Sequence, residues 1–171
     1  MFALSVRQPW ASFIVSGFKR VETRTWRTSL RCRILIHAAL SWSPLQAELC
    51  QRAPFRRILR LIGADSHPEL ALPRGALLGT ARVDAVIPTR RVRHVLPIAD
   101  WQHEQPLGFF DPRHFAWMLS APHLFLKPIP CGGKQRIFIV PDSVLRDAIA
   151  FSGDEDGDGN TIDPDDSHTA N

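Results

Sequence analysis

The stretch Ala76-Leu77-Leu78-Gly79-Thr80-Ala81-Arg82-Val83-Asp84-Ala85-Val86-Ile87 is the strongest structural constraint in the sequence, because it reads as one long strand. Gly79 marks a bulge or bend within it. Shorter strands are expected at Phe2–Val6, Val21–Trp26, Arg33–Ala38, His114–Leu119 and Gln135–Val140. Pro9 opens a short helix whose apolar residues Trp10, Phe13 and Ile14 share one face, and Gly17 stops it. Pro44–Leu61 has helical spacing in two pieces broken at Pro54, and Pro141–Ala150 closes as a helix. Leu70–Gly75 reads as a turn-rich link, Pro88–Gly108 as a long surface loop, and Pro122–Gly133 as a Pro-rich connection between two strands. Strands dominate, helices are peripheral and nothing repeats. The expectation is an α+β fold, a small mixed or antiparallel β-barrel with added helices.

With 171 residues and 44% hydrophobic residues, the chain suits one core and not two. The +4 net charge hides a division by position. Residues 151–171 hold seven acids and no Lys or Arg, so the 21 basic residues lie before them, against ten acids, leaving that body at +11. Residues 1–150 are expected to form the domain, and 151–171 an acidic, disordered tail. Asp154, Asp156, Asp158, Gly159 and Asp165 fall at calcium-loop spacing, but Pro164 interrupts and few residues follow, so disorder is the reading adopted. Clustered cations on a globule point to a polyanion, since phosphate binding releases counterions.

No apolar run approaches the ~18–20 residues that span a bilayer, and Met1–Trp10 lacks the apolar core of a secretory signal. A cytoplasmic protein without a membrane partner is expected. Cys32, Cys50 and Cys131 form no C-x-x-C pair, and His94, His103, His114 and His123 show no ligand spacing. Neither a metal nor a cofactor is expected.

Chemistry concentrates in the first forty residues, where Arg7, Lys19, Arg20, Arg24, Arg27, Arg31 and Arg33 surround one acid, Glu22. A carboxylate so placed stays ionised and orients its neighbours, or acts as a general base if the site is dry. Trp10 and Trp26 offer flat faces for a nucleobase, although Trp10, on the helix's apolar face, reads first as a core residue, and Trp26, at a strand end, equally as either. Period-two alternation puts Glu22 and Arg24 on one side of their strand. Lys19 has the opposite parity and joins them only if it lies in the turn after Gly17, which is the placement expected. His37 ends a buried strand and reads either as a satisfied barrel-edge histidine or as a group touching substrate.

Three segments carry a resemblance to a known family: Ser5-Val6-Arg7-Gln8-Pro9-Trp10-Ala11, then Gly17-Phe18-Lys19-Arg20-Val21-Glu22-Thr23-Arg24, then Arg33-Ile34-Leu35-Ile36-His37-Ala38. They resemble the opening of an ASCH domain, whose G-x-K-x-x-E-x-R signature is matched at Gly17, Lys19, Glu22 and Arg24. Phe115–Leu119 and Pro128–Gln135 are similar to its last strands, so the likeness spans residues 2–141 with 45–72 and 88–108 as insertions. The resemblance implies a PUA-like small β-barrel with peripheral helices, and a cleft beside the signature used in RNA or other nucleic-acid transactions.

Two main functions remain open on this basis. In a binding module, RNA favoured over DNA and the protein a monomer, Arg7, Arg24, Arg27 and Lys134 contact phosphates. Gln8 and an aromatic residue, Trp10 or Trp26, then read or stack a base, with His37 nearby. In a hydrolase, Lys19 and Glu22 act on RNA or on a modified nucleoside, as small bacterial relatives deacylate acetylated cytidine. Those relatives use a Thr where this chain has Glu22, and parity turns Thr23 and Thr25 away from it. A third class is a protein-interaction adaptor docking through Arg56–Arg60.

Overall fold

A computed structural model describes residues 1–146. Met1–Val140 forms one unit, and the chain from Pro141 onward belongs to another, of which 142–146 are helical. The rest of the expected closing helix, the boundary at 150, the acidic tail and its calcium-like spacing lie outside the described residues.

Six strands build the first unit: β1 (Phe2–Val6), β2 (Val21–Arg24), β3 (Arg33–Ala38), β4 (Ala76–Pro88), β5 (Phe115–Pro130) and β6 (Ile137–Ile139). They form one curled sheet in the order β2-β5-β4-β3-β1-β6, with only β1 and β3 parallel. The expected barrel is therefore a half-barrel with β2 and β6 at its edges. Its curl follows from register shifts in the β3–β4 pair and three more in the β4–β5 pair, each bending the ladder locally. Gly79 sits at one of them, where a Cβ would stand 2.0 Å from the His123 carbonyl oxygen.

Helix α1 (Trp10–Val15) is short and buried on two sides. Ala11, Ile14 and Val15 pack on the sheet, whereas Phe13 joins Phe55, Ile58 and Leu59 in a second cluster. That cluster is formed with α3 (Phe55–Leu61), next to α2 (Pro44–Cys50), so the break at Pro54 falls as expected. Full burial of Phe13 contributes about 1.5–3 kcal/mol. Gly17 ends α1 at φ +80°, and the turn sends the Lys19 N–H back to the Phe13 carbonyl at 3.0 Å.

Three expectations need correction. Pro88–Gly108 is not a loop: it holds 3-10 turns at Thr89–Arg91 and Gln105–Leu107 around two helices, α5 (Val92–Val95) and α6 (Ile98–Glu104), numbered after α4 (Pro68–Ala71), which overlaps the expected Leu70–Gly75 link only at Leu70 and Ala71. These helices bury few side chains, chiefly Val92, Glu104 and Leu107, so no apolar stripe announces them. The Pro-rich connection is mostly strand: β5 runs to Pro130. Pro122 and Pro128 lie at its register shifts, where the ladder asks for no N–H. Of the strand expected at Gln135–Val140, only Ile137–Ile139 pairs.

Candidate nucleic-acid interface

The turn after Gly17 delivers Lys19 to the side of β2 that carries Glu22 and Arg24. Lys19 Nζ lies 3.9 Å from Glu22 Oε2, and Arg24 Nε 3.1 Å from Glu22 Oε1. Arg24 also donates through Nη2 to the Ser5 carbonyl at 2.6 Å, which ties β2 across to β1. The buried Arg24 Nε makes this ion pair without a hydrogen bond among the described residues.

Lys19 is 2% exposed and donates to the Val21 carbonyl. Burial lowers its pKa from 10.5, while Glu22 and then Glu104 push it back up and Arg24 adds to the lowering. Glu104, 1% exposed, had no signal in the sequence. Its carboxylate accepts the Arg20 N–H at 2.6 Å and the Val21 N–H at 3.2 Å, partners more than eighty residues away in the chain. From the same helix His103 donates to the Phe18 carbonyl at 2.6 Å, and Asp100 accepts from Arg20 at 2.7 Å. Helix α6 thus clamps the turn that positions Lys19.

These residues lie against a cleft of about 1310 Å³. Among the described residues six cations border it, Arg7, Lys19, Arg24, Arg74, Lys134 and Arg136, against the single carboxylate of Glu22. Trp10 and Trp26 line it, both partly exposed. Trp10 donates its indole N–H to the Leu107 carbonyl at 2.7 Å, so the ring is both packed and available at one face. Trp26 stacks edge-on against buried Trp117, with ring centres 4.8 Å apart. Arg136 lies over the Trp26 ring at 5.8 Å.

His37 reaches the cleft wall with Nε2 donating to the Cys131 carbonyl at 2.9 Å and Nδ1 3.1 Å from Ser5 Oγ. Burial lowers its pKa from 6.5, against a smaller upward effect of that carbonyl. Ser5 Oγ donates to the Lys134 carbonyl at 2.9 Å, so His37 and Ser5 together pin the segment bearing exposed Lys134.

Two sequence candidates lie elsewhere. Gln8 is fully buried, its amide donating to the Pro73 carbonyl and accepting the Ser12 N–H, where it serves the start of α1. Arg27 is exposed over the Phe115 ring at 5.4 Å, outside the cleft lining. Thr23 and Thr25, which parity had turned away, both border the cleft: Thr25 lies past the end of β2, where alternation no longer holds, and Thr23 is on an edge strand. Arg74 was missed because its segment is remote in sequence from the signature, and Arg136 was missed although Lys134, two residues before it, was a candidate.

The chain matches the ASCH domain over residues 4–123. It belongs to the ASCH domain family. The family is PUA-like and associated with RNA binding. Activating signal cointegrator 1 of Homo sapiens is 29% identical to this ASCH protein over 147 residues, and that of Mus musculus 27%; each alignment covers 86% of the chain. The chain spans 23% of the length of these relatives. Among solved structures, ASCH from Zymomonas mobilis superposes with a TM-score of 0.47 at 15% identity, covering 87% of this chain and 93% of that one.

Proposed function

We propose that the cleft binds a single strand of nucleic acid, RNA in preference to DNA. The observation that carries this reading is the lining itself: six cations around one carboxylate, with Trp10 and Trp26 among them. Arg7, Arg74, Lys134 and Arg136 hold phosphates at the rim, and the tryptophans stack bases, at about 1–3 kcal/mol per stacked base. The Glu22 carboxylate, oriented by Arg24, then meets the polar edge of one base. The test is binding of single-stranded RNA, single-stranded DNA and duplexes over a range of salt. Affinity for the single strand should fall as salt rises, with a log–log slope of about −0.7 per phosphate held. A salt-independent affinity, or preference for duplex, would overturn the proposal.

A second reading, hydrolysis of a modified nucleoside or of RNA, is favoured by one observation: the buried Lys19 amine, holding its proton less tightly than usual, lies beside Glu22. Release of acetate from acetylated cytidine, abolished by Lys19→Met, would establish it. RNA bound and returned intact, together with acetylated cytidine left unhydrolysed, would exclude it.

A further inference from the structure

A second recess of about 490 Å³ lies beside the main cleft, bordered by Thr89, Arg90, Arg93, Trp101, Gln105 and Phe110. Gly108 belongs to both walls. The partition is one glycine thick: a Cβ at 108 would stand 2.9 Å from the Phe110 ring and 3.4 Å from Lys19 Nζ. Beside this crossing Phe109, 68% exposed, lines the main cleft.

The recess repeats the chemistry of the cleft on a smaller scale. Among the described residues two exposed arginines border it and no carboxylate does. Trp101 is partly exposed and held edge-on by Phe110, ring centres 4.9 Å apart at 74°. Thr89 is buried, its hydroxyl donating to the Asp111 carbonyl, so the segment leading to Arg90 and Arg93 is anchored. The volume falls in the range of small-ligand sites, about 300–1,000 Å³.

We infer that this recess is a further nucleotide subsite: the strand leaves the main cleft over Gly108, a phosphate is held by Arg90 and Arg93, and a base stacks on Trp101. The inference rests on the strand-binding reading of the cleft and extends it, making the natural ligand an oligonucleotide and not a single nucleoside. None of the three residues was a candidate in the sequence, because they sit in the segment that reads as a loop.

Binding of a single nucleotide and of single-stranded RNAs of increasing length, by the wild-type protein and by the Arg90→Ala/Arg93→Ala variant, tests it. Wild-type affinity should rise with length until both recesses are filled. In the double variant the longer RNAs should bind more weakly, with a salt slope shallower by about 0.7, while the single nucleotide binds as before. Trp101→Ala should weaken the longer RNAs about 5- to 150-fold. Wild-type length dependence that persists unaltered in the double variant would overturn the subsite and leave the main cleft standing. Wild-type protein that binds neither nucleotide nor RNA would overturn both.

Discussion

Glu104 accepts the backbone N–H of Val21 at 3.2 Å, and of Arg20 at 2.6 Å, so one buried carboxylate fixes where β2 begins. Glu104→Ala leaves two amide donors without their acceptor and removes a negative charge facing Lys19. A loss on the order of 3 kcal/mol is expected in urea unfolding, together with weaker RNA binding. Glu104→Gln, which keeps an acceptor oxygen, should lose less. Equal stability of both variants and wild type would show that β2 is held by other contacts.

Lys19 supplies a pH signature. Its folded pKa is lowered from 10.5, first by burial, so between the folded value and 10.5 the unfolded chain binds more protons and stability rises with pH. Below that window the cost of the buried charge is carried in full. Lys19→Met removes this dependence, and the stability difference between variant and wild type should move in favour of wild type as pH approaches 10.5. Each unit of pKa lowering corresponds to about 1.4 kcal/mol. The chain has no tyrosine, and Cys50, whose thiol burial pushes up to about 11, is common to both proteins and cancels. A constant difference across that window would contradict the placement of Lys19.

Gly79→Ala tests the bend in β4. The new methyl would meet the His123 carbonyl oxygen at 2.0 Å, and both atoms belong to paired backbone that has no rotamer to yield. The cost should reach about 3 kcal/mol or more by thermal or urea unfolding, the upper end for overpacking. A wild-type midpoint would mean that the β4–β5 register is not the one described.

Gly133→Ala tests the rim. Its Cβ would lie 2.3 Å from His37 Cε1 and 3.0 Å from Ser5 Oγ, so the segment carrying Lys134 must lift from the imidazole. A destabilisation of about 1–3 kcal/mol is expected, with altered His37 ring resonances and reduced RNA affinity. Unchanged histidine resonances would show that the segment does not rest on His37.

What was legible in the sequence was local. Gly17 stops α1, and the distance from Gly17 to Lys19 is short enough that turn geometry alone places the lysine beside Glu22. The long strand through Gly79 was legible because apolar residues open it and Ala81, Val83 and Ala85 then alternate with Arg82 and Asp84. Glu104 was not, because its partners are two amide N–H groups with no side-chain pattern of their own. Pro122 and Pro128 argued against a strand because proline removes a donor, yet at a shifted register no donor is needed. Gln8 misled in the other direction: a polar residue beside an arginine-rich signature looked like a reader of bases, and its amide is spent on the chain's own backbone.

Met1 and Val140 exchange hydrogen bonds, the terminal ammonium donating to the Val140 carbonyl and the Val140 N–H returning to the Met1 carbonyl. The two ends of the cleft-bearing unit therefore meet at one seam. A unit closed in this way can be re-threaded: a short linker joining 140 to 1, with new ends opened at an exposed loop, leaves every strand neighbour in place. By the same geometry, a pull on both ends loads β1 and β6 first and reaches the cleft floor only after that seam has parted.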